Sequence, residues 1–337
     1  QGYVSAENSN GKDLGTAGKK CFFVKASILI PAYDAAEFIH ETLASCVQQG
    51  LHCIEEIIIV NDHSEDDTRK VVEQFQIEHP DFRIILADNP TKGACAARNH
   101  ALKLAKGEAI QWLDADDLLG EDKLKTQLEL LQQNPQHLIA SKWRRFAGDL
   151  THLWPEEQGA WIQVPEHSTP REWLLAERMM IPAGWIGSRQ LFESIQPWDT
   201  SLLINQDGEY FTRAIVASAG VILEPESRVY YRSEMQGSVS QFKPHKAPSL
   251  FASIESFEES ALQLGDDAAL KTLISNHYMG FIYRVYPLVP ELRKKARAKI
   301  KQYGKPTRAN DIVESKVSWL ICFIFGWKFL VQLRLRI

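Results

Sequence analysis

The sequence predicts an α/β fold: a mostly parallel central sheet flanked by helices, followed by a helical extension. Short apolar runs alternate with segments of helical length through the first 133 residues, a pattern typical of a parallel sheet covered on both faces. Residues 57–60 are all β-branched, as expected for a strand buried on both sides. Polar and acidic residues follow several of these runs directly, where ligands bind in such sheets.

The elements of the first half follow in order from this alternation. Pro31 is predicted to end the first strand, because proline has no N–H to give to a ladder. The predicted strands are 22–30, 54–60, 82–87 and a run ending at Leu113, and the predicted helices are 37–49, 67–78, 94–105 and 123–133.

The second half is less regular. Residues 143–185 are irregular and rich in tryptophan, which indicates either a substrate-side region or ordinary core material. The predicted elements after it are a helix at 207–218, short strands at 221–223 and 229–231, a linker at 244–248 and helical structure over 250–301. We therefore predict a disordered leader (1–20), a main domain (21–243) and a C-terminal helical region (244–337).

Charge is unevenly distributed along the 337 residues. The formal net charge of -5 argues against general nucleic-acid binding. Residues 291–337 nevertheless contain 12 Lys/Arg against 3 Asp/Glu. Within this basic tail, the uncharged run 317–327 is shorter than the roughly 20 apolar residues that span a bilayer. The run is therefore interpreted either as an interfacial helix with tryptophan anchors or as a last helix docked on the protein core.

The sequence has five cysteines, an odd number, and no two of them form a C-x-x-C pair. This usage favours a reducing compartment over a disulfide framework or a zinc site. We expect a cytoplasmic location, and the basic tail adds the hypothesis of peripheral attachment at the cytoplasmic face of a membrane.

A cluster of carboxylates follows the fourth predicted strand. Asp114, Asp116 and Asp117 crowd one point of the chain, where like charges repel unless a cation or hydrogen-bond donors compensate. In an extended segment Asp114 and Asp116 point to the same side. That arrangement suits one divalent metal bridged to a phosphate-bearing ligand, although a solvated helix N-terminus is the alternative.

Five ordered motifs resemble those of family 2 glycosyltransferases with the GT-A fold. Residues 27–33 (SILIPAY) resemble the opening strand, residues 58–64 (IIVNDHS) the second motif, and residues 93–99 the Gly-x-x-x-Ala-Arg-Asn segment. Residues 113–117 resemble the DxD motif, and Gln206-Asp207 stands where the family has Glu-Asp. The order and spacing over about residues 27–240 make the resemblance specific. The resemblance implies that the main domain is divided into a nucleotide half (about 21–120), which would bind the nucleotide sugar, and an acceptor half (about 121–243).

The resemblance implies an inverting transferase that moves a sugar from a nucleotide-diphosphate donor, expected to be a UDP-sugar, to an acceptor hydroxyl. The acceptor would be a glycan or lipid-linked molecule in glycan, polysaccharide or glycolipid synthesis. Tyr33 would stack on the nucleobase, and Asp62 would accept a hydrogen bond from it, with a helix N-cap or an Asx-turn as the alternative for Asp62. Arg98 would lie near the diphosphate, with a structural salt bridge as its alternative. The implied donor-binding residues are Pro31, Tyr33, Asp62, Arg98, Asp114 and Ala115.

The same resemblance implies a metal and a general base. Asp116, with Asp114, would ligate Mn²⁺ or Mg²⁺, and Asp207 would take the proton from the acceptor hydroxyl. Glu209 is a competing base two residues later, and Asp207 also suits a helix N-terminus.

Departures from the family pattern keep other functions open. Asn61, His63 and Gln206 replace the usual Asp, Gly and Glu, and no histidine follows Tyr231-Arg232, where Glu234 is a substitute ligand. A non-catalytic relative that binds nucleotide sugar or scaffolds a membrane assembly is therefore the alternative. A nucleotidyltransferase or a dehydrogenase is disfavoured, because no glycine-rich turn follows the first strand.

Overall fold

The computed structural model describes residues 24–154, 166–178, 180–233, 242–307 and 327–328. The predicted leader and most of the basic tail, including residues 317–326, lie outside the described residues. So do Trp161 and Glu234.

The described strands form one sheet with the order β3-β2-β1-β4-β9-β6-β10-β5, with β7 beside β6 and β8 beside β10. The strands are β1 (Ala26–Ala32), β2 (Ile54–Asn61), β3 (Ile84–Asp88), β4 (Ala109–Trp112), β5 (Leu118–Leu119), β6 (Leu138–Ala147), β7 (Asp149–Leu153), β8 (His167–Ser168), β9 (Trp185–Ser188) and β10 (Val221–Arg232).

Helices cover the sheet and extend beyond it. They are α1 (Ile39–Val47), α2 (Thr68–Glu78), α3 (Ala94–Leu104), α4 (Lys123–Gln133), α5 (Pro170–Ala176), α6 (Arg189–Ser194), α7 (Gln206–Ala217), α8 (Ala247–Gln263), α9 (Ala268–Val285) and α10 (Pro290–Tyr303). The predicted α/β fold with C-terminal helices is confirmed.

The sheet is mixed. Strands β3, β2, β1 and β4 are parallel, but β9 runs antiparallel to both β4 and β6, and so joins the two halves of the sheet. The parallel arrangement predicted from the βα alternation therefore holds for the nucleotide half and changes at β9.

The prediction that Pro31 ends the first strand is wrong, because β1 continues to Ala32. The carbonyl of Leu29 points towards β4, where it accepts a hydrogen bond from Leu113 N. Because the backbone directions of a strand repeat every two residues, the nitrogen of Pro31 faces β4 as well. Pairing between β1 and β4 ends at Leu29, while pairing with β2 continues to Ala32. The missing N–H of Pro31 therefore removes no ladder bond.

Three further boundaries differ from the prediction. The two short strands at 221–223 and 229–231 are one strand, β10, interrupted by a register shift between Glu224 and Arg228. The region 143–185 is not wholly irregular, because β6 runs from Leu138 to Ala147. The predicted linker is a short 3-10 turn (Pro244–Lys246) followed at once by α8, and the predicted helical stretch after it is divided among α8, α9 and α10.

A buried aromatic cluster lies between β4 and the helices of the acceptor half. The Trp112 ring meets the rings of Phe192, Trp198 and Tyr210 at centroid distances of 5.7, 5.3 and 5.6 Å. Trp198 and Tyr210 stack at 4.1 Å. Because Tyr210 belongs to α7, this cluster fixes the start of α7 against the strand that leads into the acidic cluster.

Candidate functional site

The loops after β1 and β2 are tied together at the carboxyl edge of the sheet. Ser64 Oγ accepts a hydrogen bond from Asp34 N at 3.1 Å, and Asp34 Oδ1 accepts one from Glu65 N at 2.8 Å. Tyr33 precedes this junction and is 49% exposed, with Lys92 Nζ 4.9 Å from its ring centroid. An exposed aromatic face beside a cation suits a flat, anionic ligand such as a nucleotide.

Asp62 is buried and held by the loop that follows β3. Its carboxylate accepts hydrogen bonds from Gly93 N at 2.9 and 3.0 Å and from Asn89 Nδ2 at 2.7 Å. It does not cap α2, whose N-cap is Asp67, so the capping alternative is not observed. A carboxylate offers about four acceptor sites, and capacity remains for an N–H of a base. The contribution of Asn89 has no signal in the sequence motifs.

His63 occupies the turn position where the related motif has glycine. Its φ is 62°, in the left-handed region that glycine adopts freely and other residues adopt at a cost. The departure at this position therefore adds backbone strain, and the exposed imidazole makes no compensating side-chain hydrogen bond within the described residues.

Arg98 joins the acidic cluster to the acceptor half. Arg98 is 8% exposed, and its guanidinium donates to Asp114 Oδ1 at 2.7 Å and lies 4.7 Å from the Trp198 ring centroid. The next residue, Asn99, exchanges two 2.9 Å hydrogen bonds with the backbone of Trp198. The salt-bridge alternative for Arg98 is thus present in the structure, and contact with a diphosphate stays a prediction.

The acidic cluster is pinned from two sides. Ala115 is buried, and its carbonyl accepts a hydrogen bond from Thr42 Oγ1 at 2.9 Å. Arg232 donates through Nε to Asp116 O at 3.0 Å and through its backbone N to Asp117 Oδ1 at 3.1 Å. None of the three carboxylates caps α4, whose N-cap is Asp122.

Arg232 is itself buried in a network that the sequence did not reveal. Its guanidinium donates to Glu41 Oε2 and Gly148 O, both at 2.5 Å, and lies 4.3 Å from the Phe146 ring centroid. Arg232 therefore positions the acidic loop. Pro31, partly exposed at the end of β1, borders the same edge of the sheet.

The environment of the cluster opposes negative charge. Burial, and then the charge of Asp114, raises the pKa of Asp116 to about 6. Burial and the neighbouring carboxylates also raise the pKa of Asp117, and its Oδ2 has no hydrogen-bond partner among the described residues. A positive charge bound beside Asp114 and Asp116 would relieve this repulsion.

A divalent cation fits this donor set only with help from a ligand. The described residues contain no group of three or more His, Cys, Asp or Glu side chains placed to hold a metal. Asp114 and Asp116 supply hard oxygen ligands, and phosphate oxygens or water would complete the coordination of Mg²⁺ or Mn²⁺.

Asp207 lies in the first turn of α7 and is half-buried. Burial raises the pKa of its carboxyl, while the Gly208 amide and the charge of Arg98 act in the opposite direction. Within the described part of the chain, no side chain forms an ion pair or hydrogen bond with its carboxylate. The N-cap of α7 is Asn205, in a left-handed conformation with φ 58°.

The competing carboxylate, Glu209, is already satisfied. It is 6% exposed, pairs with Arg213 Nε at 2.6 Å and accepts a hydrogen bond from Ser256 Oγ at 2.8 Å. Of the two acidic residues in the first turn of α7, Asp207 is therefore the one available to accept a proton.

Curated relatives match part of the chain. A putative teichuronic acid biosynthesis glycosyltransferase, TuaG of Bacillus subtilis, is 38% identical over 144 residues, which is 42% of this chain and 54% of that protein. The Escherichia coli WfaP, a UDP-Glc:alpha-D-GlcNAc-diphosphoundecaprenol beta-1,3-glucosyltransferase, is 40% identical over 107 residues, or 32% of this chain and 41% of that protein. The chain spans about half the length of the curated relatives it matches.

Solved structures share the fold over most of the chain. Staphylococcus aureus TarS 1–349 in complex with UDP-GlcNAc has a TM-score of 0.67 at 17% identity and covers 93% of this chain and 92% of that one. The mannosyltransferase PcManGT of Pyrobaculum calidifontis, in complex with GDP-Man and Mn²⁺, has a TM-score of 0.54 at 16% identity over 92% and 84%. At these identities the likeness establishes the fold alone.

The family model described as glycosyl transferase family 2 matches residues 27–196. This match contains β1 to β4, the acidic cluster and the Arg98–Asn99 pair described above. It covers half of the chain, and the protein belongs to glycosyl transferase family 2.

Proposed function

We propose that this protein is an inverting glycosyltransferase that moves a sugar from a UDP-sugar to an acceptor hydroxyl. The observation that carries the proposal is the link through Arg98, which is hydrogen-bonded to Asp114 and lowers the pKa of Asp207 by its charge. The guanidinium of Arg98 thus interacts both with the acidic cluster on the donor side and with the available base.

On the donor side, the residues provide the contacts that a nucleotide requires. Tyr33 offers an exposed ring for stacking, and Asp62, fixed by Gly93 and Asn89, keeps acceptor capacity for the N–H of uracil. Ala115 and Pro31 bring the backbone of two adjacent strand ends to the same edge. Bound beside Asp114 and Asp116, a divalent cation would neutralise charge on the departing diphosphate.

On the acceptor side, Asp207 acts as general base. Its carboxylate accepts the hydroxyl proton as that oxygen attacks the anomeric carbon, and the nucleoside diphosphate leaves from the opposite face. A single displacement of this kind inverts the anomeric configuration. General-base catalysis typically contributes about 10²- to 10⁴-fold.

The names of two relatives support a class of acceptor. WfaP is described as acting on a GlcNAc-diphosphoundecaprenol, and TuaG as serving teichuronic acid synthesis. We infer a glycan or lipid-linked acceptor of the cell envelope for this chain. A lipid-linked acceptor of the diphosphoundecaprenol kind carries phosphate and is presented at a membrane surface.

Peripheral attachment to that membrane belongs to the same proposal. No helix among the described residues combines the length and apolar character needed to cross a bilayer. Helix α10 instead exposes Lys294, Lys295, Arg297 and Lys301, and each basic residue near an anionic surface contributes about 1 kcal/mol. Trp327 packs on Tyr283 and Tyr286, at ring distances of 4.9 and 5.3 Å, so this tryptophan docks on α9.

The experiment is a donor panel. Purified protein is incubated with UDP-glucose, UDP-GlcNAc or GDP-mannose, with GlcNAc-diphosphoundecaprenol, and with Mn²⁺, Mg²⁺ or EDTA, and released nucleoside diphosphate is measured. We expect metal-requiring release with a UDP-sugar and, in parallel, donor-dependent thermal stabilisation that Asp116→Ala removes. Asp207→Asn retains donor binding and loses transfer.

The matched control is Asp122→Asn, the same chemical change at the exposed N-cap of α4, where asparagine tolerates the left-handed backbone. This variant keeps full transfer. Unchanged transfer in Asp207→Asn would contradict the base assignment. Donor binding without turnover on any acceptor would favour the non-catalytic alternative.

The membrane component has its own test. Binding to vesicles of phosphatidylglycerol and phosphatidylcholine is measured by co-sedimentation at low and high salt. We expect salt-sensitive binding that charge reversal at Lys294 and Lys295 weakens, with Lys243→Glu as the control. Equal binding to purely zwitterionic vesicles would contradict an electrostatic surface.

A further inference from the structure

One face of the C-terminal helix α8 is fastened to the segment that carries Asp207. Ser249, Ser253 and Ser256 are spaced by four and three residues, so they lie along one side of the helix. We call this the serine face. Each of its three hydroxyls forms a hydrogen bond with a residue between positions 201 and 209.

The contacts are distributed along the whole segment. Ser249 Oγ accepts from Leu203 N at 3.1 Å and donates to Ser201 O at 3.3 Å. Ser256 Oγ donates to Glu209 Oε1 at 2.8 Å. The segment is thus held on both sides of Asp207.

The central contact reaches the turn immediately before Asp207. Ser253, 1% exposed, accepts from Asn205 Nδ2 at 3.0 Å and gives its own proton to Leu250 O. Asn205 has the left-handed backbone that starts α7, and its Oδ1 lies 2.5 Å from where a Cβ on Gly208 would stand. The Asn205 side chain is therefore confined between Ser253 and the backbone on the other side of Asp207.

We propose that the serine face of α8 positions Asp207 for proton abstraction, so that the C-terminal helical region is part of the catalytic unit. This inference rests on the proposed function, since it takes Asp207 as the base. Ser249, Ser253 and Ser256 are positioning residues: they act through the backbone and through Asn205, at a distance from the reacting atoms.

A positioning role and a purely structural one predict different kinetics. Donor contacts come from the loops after β1, β2 and β4, which the serine face does not touch within the described residues. Loosening the 201–209 segment therefore lowers kcat and leaves the KM for donor unchanged. Purely structural damage lowers the amount of folded enzyme and leaves the kcat of the folded fraction unchanged.

The test compares Ser253→Ala with Ser260→Ala. Ser260 is also buried on α8, at 3% exposure, but forms no hydrogen bond with positions 201–209 among the described residues. With the donor and acceptor of the panel above, we expect Ser253→Ala to lower kcat roughly 10- to 100-fold, the loss typical of a base displaced by about 1 Å. Its donor KM stays within about twofold, and Ser260→Ala retains kcat.

A double-mutant cycle identifies the route. If Ser253 acts through Asn205, the variant that carries both Ser253→Ala and Asn205→Ala loses no more kcat than the more damaging single variant. If the kcat losses of the two single variants multiply in the double variant, the two residues act independently, and this coupling is overturned. Hydrogen–deuterium exchange supplies a readout without substrate: amides at 201–209 exchange faster in Ser253→Ala and not in Ser260→Ala.

The outcomes separate this inference from the proposed function. Asp207→Asn measured alongside decides the base assignment. Loss of transfer in Asp207→Asn together with unchanged kcat in Ser253→Ala overturns the inference and leaves the function standing. If Ser253→Ala does not fold, Ser249→Ala and Ser256→Ala, at partly exposed positions, carry the same kinetic expectation, and unchanged kcat in both refutes it.

Discussion

Asn99 and Trp198 form a reciprocal pair: the Asn99 amide donates to Trp198 O and accepts from Trp198 N, both at 2.9 Å. The Asn99 side chain thus satisfies both backbone groups of Trp198, as a neighbouring strand would, although the two residues are 99 positions apart. Because Arg98 stacks on the ring of the same tryptophan, the Arg-Asn pair of α3 holds the acceptor half against the nucleotide half.

Replacement of Asn99 by alanine should destabilise the protein. The change leaves one N–H and one C=O of Trp198 without partners in a partly buried place, at about 1–3 kcal/mol per unsatisfied group. We expect a loss of at least about 2 kcal/mol in the free energy of unfolding in urea. His100→Ala, on the next residue of the same helix, serves as control and should stay within about 0.5 kcal/mol.

The pH dependence of transfer should follow Asp207. The base must be ionised, and burial raises its pKa, so kcat falls as pH falls through that raised value. Arg98 lowers the pKa of Asp207 by its charge. Arg98→Gln should therefore move the acidic limb of the kcat profile to higher pH.

The control for this shift is Arg189→Gln, which removes a guanidinium that pairs with Glu193 at 2.8 Å, away from the acidic cluster. Its acidic limb should coincide with that of the parent protein. A limb that moves to lower pH in Arg98→Gln would contradict the electrostatic link between Arg98 and Asp207.

The buried ammonium of Lys123 should make stability depend on alkaline pH. Lys123 Nζ is fully buried and donates to the side-chain oxygens of Gln111 and Gln127, both at 2.5 Å. Burial lowers its pKa from 10.5 to about 7. Between these values the unfolded chain binds more protons than the folded one, so the free energy of unfolding rises with pH, by at most about 1.4 kcal/mol per unit.

Urea unfolding at several pH values between 7 and 10 measures this contribution. In Lys123→Met, which keeps the length of the side chain without the charge, the rise should be absent. Parallel slopes for the parent protein and Lys123→Met would show that the lysine keeps its proton in the folded state. Lys125→Met, on the same helix and exposed, controls for the loss of a lysine.

Glycine at position 63 should stabilise the chain. His63 has a φ of 62°, and its side chain is exposed, so the substitution relieves left-handed strain and loses little packing. Strain of about 1–2 kcal/mol, partly offset by the greater freedom of glycine in the unfolded state, gives an expected gain of about 0.5–1 kcal/mol in urea unfolding. A destabilised His63→Gly would mean that the imidazole contributes contacts in solution.

The sequence predicted elements well wherever local pattern decides them. Helix α4 has the predicted bounds. Strand β2 differs from its predicted bounds by one residue, because its unbroken β-branched run leaves few alternatives to a strand. Strand β6 was not recognised, since its cationic residues interrupt the apolar pattern while only the neighbouring strands reveal its pairing. The division of β10 failed for a similar reason: Pro225 signals a break, yet the chain pairs with β6 again after a bulge, in a shifted register in which Arg228 opposite Lys142 follows Glu224 opposite Ser141.

The candidate site was predictable in its residue types and not in its connections. The carboxylates after β2 and β4 follow from the rule that ligands meet strand ends. The partners that fix them do not: Asn89 on Asp62, Arg232 on Asp116 and Ser253 on Asn205 lie 27, 116 and 48 positions away. Hydrogen bonds between such distant polar residues leave no periodic trace in a single sequence.

The insertion of β9 between β4 and β6 also bears on how the protein is made. Strands β1 to β4 come from one continuous stretch of chain, whereas the seam between the two halves needs residues 185–188. During synthesis the nucleotide half emerges from the ribosome complete in its pairing, while β4 keeps an open edge until β9 arrives. We expect this edge to be the point where a nascent chain is most exposed to misassociation, and where a chaperone would have most to protect.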